Sequence, residues 1–305
     1  MRRPLLVIIL GPTAVGKTAV AVAVAQHFQT SVVSTDSRQL YREIPIGTAQ
    51  PSAEELLAVP HFFIASHSIH EPLDAGSYAK AARAVLASEF AKHPVVVMAG
   101  GSGLYIDAVV NGFDELPTQD ETIRGELQQL FEEKGIAALQ EELQRLDPVY
   151  FSQVDINNPA RLIRAIEVCR VTGQPYSSLR SGKKEELPFD VVKIGLELPR
   201  EELYDRINRR VNEMMNAGLE AEARTVYVHR QLPPLQTVGY REWFDHFDGK
   251  ISHEKAVELV QQHSRNYAKR QMTYWRRDPE IVWFSPRDTK GIVAAIEQAQ
   301  KQMER

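Results

Sequence analysis

The sequence has a single cysteine, Cys169, among its 305 residues. A lone cysteine excludes an intrachain disulfide and a cysteine-based metal cluster, which suits a reducing cytosol, so we predict a cytoplasmic protein. The helical pattern around Cys169 favours a packed core thiol over a catalytic one. The chain also lacks any stretch of about 20 apolar residues, so we expect no membrane span.

An excess of positive charge is also missing. The formal net charge is -4, which argues against a wholly basic protein that coats nucleic acid. The net charge does not exclude local basic patches. The hydrophobic fraction of 43% and the charged fraction of 25% are ordinary for a globular protein. The length suits one large domain or a core domain with an insertion.

The sequence does contain a complete phosphate-binding motif, Gly-x-x-x-x-Gly-Lys-Ser/Thr, at residues 11–18. The apolar run 5–10 predicts a buried strand before the motif, and residues 18–28 predict a helix after it. Because backbone N–H groups at a helix N-terminus bind anions, a diphosphate site is predicted at Gly11, Pro12, Thr13, Ala14, Val15, Gly16, Lys17 and Thr18. We expect Lys17 to contact the phosphates and Thr18 to ligate a Mg2+ ion.

A second strand, predicted at 31–35, places Asp36 at its carboxyl end, where ligands bind in open parallel sheets. Asp36 then faces the same crevice as Lys17, or it is an ordinary turn or N-cap aspartate, and spacing alone does not separate these interpretations. The polar groups that follow are suited to a nucleobase: Arg38, Gln39 and Tyr41.

Further strands are predicted at 61–64, 94–99, 191–196 and 281–284, with helices at 77–90, 199–217 and 253–275. This alternation predicts an α/β fold with a parallel sheet flanked by helices, as in P-loop NTPases. Turn residues within 42–60 predict a long functional loop.

The strand at 94–99 runs into a second glycine loop, in which the hydroxyl of Ser102 can approach a ligand. Three histidines, His61, His67 and His70, invite a metal-site interpretation. They stand at no recognisable ligand-pair spacing, so solvated loop histidines are the preferred interpretation.

Strand patterns vanish between residues 117 and 187 and helical ones replace them. We therefore predict an inserted helical domain at 117–187 within a core domain formed by 1–116 and 188–305. Arg161 and Arg164 share a helix face in this insertion. They belong to an ordinary solvated face, or they contact phosphate groups of a nucleic acid.

The last long helix has no acidic residue between Glu258 and Asp278. Aromatic residues alternate there with basic ones, in the set Arg265, Tyr267, Lys269, Arg270, Tyr274, Trp275, Arg276 and Arg277. Such mixtures fit RNA, because arginine pairs with phosphates and bases stack on rings. The alternative is that the rings belong to the core.

Several segments together resemble the bacterial tRNA dimethylallyltransferases, also called tRNA isopentenyltransferases. Besides the two glycine loops, the matching segments follow the family's order at 36–41, 46–49, 161–167, 210–214, 238–242 and 267–271. Ser102 stands where the family usually has threonine, and it keeps the hydroxyl.

The resemblance implies transfer of a dimethylallyl group from dimethylallyl diphosphate to N6 of the adenosine just 3′ of the anticodon in tRNA, with release of diphosphate. Asp36 is the expected base, Lys17 and Arg210 stabilise the diphosphate, and Ser102 holds the leaving oxygen or the amine. The residues implied in tRNA binding are Asp36, Ser37, Arg38, Gln39, Ser102, Arg124, Ala160, Arg161, Leu162, Ile163, Arg164, Gly239, Tyr240, Arg241, Lys269 and Arg270.

Two other classes of function share the phosphate-binding motif. One is a small-molecule enzyme, either an ATP-dependent kinase or a prenyltransferase that modifies free adenine nucleotides. The other is a non-enzymatic RNA-binding module with a vestigial loop. The inserted helical domain and the basic last helix favour a macromolecular acceptor, and the presence of Lys17, Thr18 and Asp36 favours an enzyme.

Overall fold

Six short strands form one parallel sheet in the computed structural model, which describes residues 3–112, 116, 120–180 and 186–302. They are β1 (Leu5–Leu10), β2 (Val32–Ser34), β3 (His61–Phe62), β4 (Val95–Gly100), β5 (Asp190–Leu196) and β6 (Ile281–Phe284). Their order across the sheet is β3-β2-β4-β1-β5-β6, and every pairing is parallel. Each predicted strand is present, and the α/β prediction is confirmed.

Helices connect these strands. They are α1 (Lys17–His27), α2 (Ala53–Ala58), α3 (Ala75–Phe90), α4 (Gly103–Asn111), α5 (Glu121–Lys134), α6 (Ile136–Leu146), α7 (Pro148–Phe151), α8 (Pro159–Thr172), α9 (Tyr176–Leu179), α10 (Arg200–Asn216), α11 (Leu219–Val226), α12 (Arg241–Phe247), α13 (His253–Trp275) and α14 (Thr289–Gln302). The predicted loop 42–60 contains α2, which begins at a Ser52 capping box, and α14 was not predicted. None of the helices in the described part of the chain has the length and hydropathy needed to cross a membrane.

The central strand β1 is buried on both faces. Leu6, Ile8 and Leu10 belong to the core on one side of the sheet, whereas Leu5 and the other odd-numbered residues of β1 belong to the core on the opposite side. Helices cover both faces, so each side chain of β1 meets an apolar partner whichever way it points. This explains why the strand is a continuous apolar run and not an alternating one.

The register of the sheet places three loops side by side. Leu10 at the end of β1 pairs with Gly100 of β4 and with Gly195 of β5, and Ser34 of β2 pairs with Ala99. Because the strands are parallel, the segments that follow them leave the same edge of the sheet.

The chain divides into two compact units. One comprises Met1–Val110 and Glu186–Arg305 and contains the sheet, and the other comprises Asn111–Glu185. The domain boundary predicted between residues 116 and 117 involves Pro117, which lies outside the described residues.

The second unit contains helices α5 to α9 and no strand among its described residues. Its own core contains buried apolar side chains of four helices, α5 to α8: Leu127, Leu139, Leu143, Tyr150, Leu162, Ile163, Ala165 and Ile166. A buried carboxylate, Asp147, joins two of its short helices. It accepts hydrogen bonds from the Tyr150 N–H (2.9 Å), the Ser177 N–H (2.6 Å) and the Ser177 hydroxyl (2.8 Å).

We expect Asp147→Ala to lower the free energy of unfolding by about 3 kcal/mol, because it leaves buried donors without an acceptor. Urea unfolding of the full chain measures this change. The matched control is Asp155→Ala, which removes an exposed turn carboxylate that accepts from the Asn157 N–H at 3.1 Å. The control should change stability by no more than about 0.5 kcal/mol. Equal effects of the two substitutions would contradict the role of Asp147.

Candidate active site

The loop at residues 11–16 turns sharply between β1 and α1. Gly11 (φ 147°), Ala14 (φ 62°) and Gly16 (φ 110°) have positive φ. At Gly11 a side chain is excluded, since a Cβ would lie 2.6 Å from the carbonyl oxygen of Leu196. Gly16 is the N-cap of α1 and has no capping side chain among the described residues. The first N–H groups of α1 are therefore available to an anion.

The side chain of Lys17 folds back over this loop. Its ammonium donates to the carbonyl oxygens of Gly11 (3.1 Å) and Pro12 (2.8 Å). Desolvation lowers the pKa of Lys17 to about 8, with Asp36 acting in the opposite direction and Arg210 lowering it further. A bound phosphate would offer the ammonium a negatively charged partner in place of the two carbonyls.

A cavity of about 410 Å³ opens beside the loop. Four cations lie in its wall: Lys17, Arg206, Arg209 and Arg210. Arg210 is attached to the loop, because its guanidinium donates to the Thr13 hydroxyl at 3.3 Å. Burial lowers the pKa of Arg210, yet an arginine remains charged near neutral pH. The cavity is thus suited to a polyanion such as a diphosphate.

Asp36 follows β2 and has two roles. Its Oδ1 accepts hydrogen bonds from the N–H groups of Arg38 (2.9 Å) and Gln39 (3.3 Å), as a turn aspartate does. It also lines the same cavity as Lys17. Both interpretations of Asp36 therefore hold. Its Oδ2 has no hydrogen-bond partner among the described residues, so one carboxylate oxygen can accept a proton.

A second cavity of about 180 Å³ adjoins the first. The two share Thr13, Ala14, Asp36, Arg210 and Tyr267. Apolar side chains form part of the second wall, namely Ile207, Val211, Met214 and Val260. Desolvation, followed by the Asp36 carboxylate, raises the pKa of Tyr267 to about 12, so its hydroxyl is neutral. Asp36 therefore stands where a polar cavity meets a more apolar one.

Ser102 lies next to the Asp36 turn. Its Oγ accepts from the N–H of Ser37 at 3.0 Å, and the two hydroxyls are 3.1 Å apart. The close approach of the β4 end depends on Gly100, where a Cβ would lie 2.0 Å from the Thr35 hydroxyl oxygen. The structure thus brings Ser102 together with Ser37 and the Asp36 turn.

The amide of Gln39 is occupied by the protein itself. Its Nε2 donates to the carbonyl oxygens of Thr48 (3.3 Å) and Ala49 (2.8 Å), and the Gln50 amide donates back to the Gln39 carbonyl oxygen at 3.0 Å. Gln39 therefore anchors the loop that precedes α2, and its amide donor is not offered to a base. Arg38 lines the second cavity.

The side chain of Tyr240 is 0% exposed, so it cannot contact tRNA as predicted. The Tyr240 hydroxyl donates to Glu222 at 2.5 Å, and the same carboxylate accepts from the N–H groups of Ile46 (2.7 Å) and Gly47 (2.8 Å). Tyr240 and Glu222 thus shape the loop that lines the second cavity at Gly47. Gly239 lines that cavity directly.

The aromatic residues of α13 divide between core and surface. Trp275 is buried, whereas Tyr274 and Tyr267 are 40% and 37% exposed. The Tyr274 hydroxyl donates to Asp107. Lys269 and Arg270 are exposed, and the Arg270 guanidinium lies 5.8 Å from the centre of the Tyr267 ring.

The residues of α8 that were predicted to bind tRNA have different surroundings in the structure. Leu162 and Ile163 are buried in its core, so the prediction that they bind tRNA is corrected for their side chains. Arg164 donates to the buried Glu167 at 3.0 Å, which favours a structural ion pair. Arg161 is exposed. Three other residues were predicted to bind tRNA. Ala160 and Arg241 are exposed, and Arg124 is half-buried.

His61 begins β3, and His67 and His70 follow it in the chain. No group of three or more His, Cys, Asp or Glu side chains among the described residues is placed to hold a metal ion. The His61 Nδ1 lies 2.9 Å from the Val59 carbonyl oxygen, and the His67 Nδ1 lies 2.8 Å from the Ser66 hydroxyl.

Sequence reasoning missed Glu222 and the roles of two α10 arginines. Glu222 belongs to no motif and sits in an amphipathic helix, where a glutamate is normally solvated. Arg206 and Arg209 stand on the same helix as Arg210, and their spacing of three and four residues could have indicated a shared face.

We expect the affinity for inorganic diphosphate to fall as the pH rises above about 8. Free Lys17 loses its proton there, so binding must restore it, and the Kd should rise by up to about tenfold per pH unit. Calorimetric titrations of the native protein and of Lys17→Met measure this. At each pH, the Kd of Lys17→Met is divided by the Kd of the native protein. Protonation of diphosphate affects both values equally, so it does not change this ratio. Lys80→Met, an exposed lysine change on α3, should follow the native curve. A ratio that is independent of pH would contradict the assignment.

Comparisons with known proteins identify relatives of this chain. The profile of a family described as IPP transferase matches residues 39–278. The chain is 46% identical over 292 residues to tRNA dimethylallyltransferase 1 of Bacteroides fragilis, covering 96% of this chain and 97% of that protein. It is 47% identical over 293 residues to the tRNA dimethylallyltransferase of Christiangramia forsetii, covering 96% and 97%.

Among solved structures, the full-length tRNA isopentenylpyrophosphate transferase from Bacillus halodurans is similar, with a TM-score of 0.74 and 34% identity. The similarity covers 99% of this chain and 98% of that one. The family resemblance read from the motifs is thereby confirmed, and the chain belongs to the IPP transferase family.

Proposed function

We propose that this protein transfers the dimethylallyl group of dimethylallyl diphosphate to N6 of the adenosine just 3′ of the anticodon in tRNA. Membership of the family makes it a prenyltransferase that acts on tRNA. The observation that carries the finer proposal is the position of Asp36. Asp36 lines both the cationic cavity, which we propose for the diphosphate, and the adjoining cavity, which we propose for the incoming base.

The donor would bind with its diphosphate in the cationic cavity. Lys17 and Thr18 at the start of α1 line that space, and so does Arg210. When the allylic C–O bond breaks, negative charge accumulates on the departing diphosphate, and fixed cations and dipoles stabilise that charge most. Lys17 and Arg210 are therefore proposed to accelerate departure of the leaving group.

Mg2+ fits the residues present. This ion takes one or two protein oxygens and completes its octahedron with water and phosphate oxygens. Thr18 lines the cavity at the start of α1, and its hydroxyl would supply one such oxygen. When bound, the ion would neutralise part of the charge on the diphosphate.

Asp36 is proposed as the base. The N6 lone pair of adenine forms the new C–N bond while the allylic C–O bond breaks, and one N6 proton must then leave. The unpartnered Oδ2 of Asp36 can accept that proton while Oδ1 remains fixed by the turn. Ser102, tied to Ser37, is proposed to hold the amine or the leaving oxygen.

The acceptor nucleotide would leave its stack to reach Asp36, because an exocyclic amine inside a stacked loop is inaccessible. Exposed cations offer the compensating phosphate contacts. We propose Lys269 and Arg270 on α13 and Arg161 on α8 for this role, since each side chain is solvent-exposed.

The direct test is incubation of the native protein with Mg2+, labelled dimethylallyl diphosphate and either unmodified tRNA or AMP. We expect label in tRNA, at an adenosine beside the anticodon, and none in AMP. Label in AMP alone would replace the proposal with a nucleotide prenyltransferase.

In the same assay, Asp36→Asn should lower kcat by about 100-fold or more, because the amide retains an acceptor for the turn but cannot take a proton. The affinities for tRNA and diphosphate should change little. Asp74→Asn is the matched control, since Asp74 caps α3 by accepting from the Ser77 N–H at 2.7 Å. Native turnover by Asp36→Asn would remove Asp36 as the base.

Arg161→Ala should weaken tRNA binding and reduce the slope of log K against log salt by about one, as expected for one lost phosphate contact. Arg170→Ala on the same helix is the control. The Arg170 guanidinium is already paired with Glu126 (3.1 Å) and Glu142 (2.7 Å), so its removal should leave the slope unchanged. Filter binding over a range of salt concentrations measures both. Identical slopes for the native protein and Arg161→Ala would show that Arg161 makes no phosphate contact and belongs to an ordinary solvated face.

A further inference from the structure

The side chain of Gln271 connects the two glycine loops of the site. Its Oε1 accepts a hydrogen bond from the Thr13 N–H at 2.9 Å, and its Nε2 donates to the Gly101 carbonyl oxygen at 3.0 Å. Gln271 belongs to α13 and is 7% exposed. One buried amide therefore links the phosphate-binding loop, the second glycine loop and the last long helix.

The fit around this amide is close. A Cβ on Gly101 would lie 2.3 Å from Nε2 of Gln271, whereas the next atoms it would meet are the Gln271 Cδ at 3.5 Å and the Gly11 carbonyl oxygen at 3.6 Å. The Gln271 amide is thus the only group, among those near this position, that would clash with a side chain at position 101. The backbone of Gly101 is not in the left-handed region.

The two hydrogen bonds lie in a continuous series of contacts across the site. On one side, Thr13 accepts from Arg210 through its hydroxyl. On the other side, Gly101 immediately precedes Ser102, whose Oγ accepts from the N–H of Ser37. The amide therefore sets the spacing between the diphosphate side of the site and the Ser102 side.

We infer that Gln271 is a positioning residue that holds the diphosphate-binding loop at a fixed distance from Ser102 and the Asp36 turn. This inference rests on the proposed function. A displacement of reacting groups by a fraction of an ångström is costly to a transfer reaction, since the reacting atoms must be aligned at contact distance. The neighbouring side chains Lys269 and Arg270 are exposed, so loss of the buried amide should leave the outer face of α13 unchanged.

Gln271→Met removes both hydrogen bonds at nearly constant volume. We expect kcat for transfer to tRNA to fall about tenfold or more, because two polar backbone groups lose their partner and the loops can shift. The Kd for inorganic diphosphate should rise by roughly fivefold, and the Kd for tRNA should stay within about twofold of native. Gln262→Met, on the exposed side of the same helix, is the matched control and should match the native protein.

A double-mutant cycle separates this role from a general loss of stability. Gly101→Ala alone should lower kcat, because its methyl group displaces the amide. Gln271→Ala should lower kcat too, and it creates room for that methyl group. The combined variant should therefore be no slower than Gln271→Ala, which is strong non-additivity. Gly125→Ala, where nothing lies within 4 Å of the added Cβ, is the control for the glycine change.

Native kcat in Gln271→Met, or fully additive penalties in the cycle, would overturn the inference. If Gln271→Ala fails to fold, Gln271→Met decides the question by itself. If the native protein transfers nothing to tRNA, the proposed function fails on its own. The positioning role is then decided by inorganic diphosphate, whose unchanged affinity in Gln271→Met would overturn it.

Discussion

The parallel pairing of β1 with β4 is the constraint on which the site depends. It places Leu10 beside Gly100, so the phosphate-binding loop and the Ser102 loop start at the same edge of the sheet. Pairing of β2 with β4 adds the Asp36 turn at that edge. A shift of one residue in either pairing would reverse the faces of a strand buried on both sides and move these loops apart. Apolar packing on both faces of β1 thus fixes the geometry of polar groups that lie beyond it.

Electrostatics supplies the second constraint. Four cations line one cavity, and in the structure described here the Lys17 ammonium is held by two backbone carbonyls. Desolvation by burial outweighs the attraction of Asp36, and Arg210 adds repulsion, so the pKa of Lys17 falls to about 8. The four cations repel one another, and Asp36, Glu55 and Glu213 in the same wall offset part of that repulsion. The proposed binding of a diphosphate would relieve the remainder.

Motif residues in this protein serve two different purposes. Some face the cavities, as Lys17 and Asp36 do. Others hold the cavity walls in place, as the buried Tyr240 does through Glu222 and as Gln271, which also lines the first cavity, is proposed to do through Thr13 and Gly101. A site whose groups must be aligned within a fraction of an ångström needs both kinds, so a motif alone does not separate contact residues from supporting ones.

The sequence by itself determined the strands, the phosphate-binding loop and the family. Continuous apolar runs and glycine spacing are local patterns, and local patterns follow directly from backbone sterics and burial. The same reasoning located Asp36 at the carboxyl end of a strand. Helix α14 was not among the predicted helices, although its two buried residues, Ile292 and Ile296, stand four positions apart.

Only the tertiary structure decided which side of each motif faces the ligand. Tyr240, Leu162 and Ile163 looked like tRNA contacts and proved to be core residues. Glu222 belongs to no motif, and in the fold it accepts three hydrogen bonds. The physical reason is that burial depends on contacts between residues far apart in the chain: Gln271 meets Thr13 across 258 positions, a distance that no local pattern records.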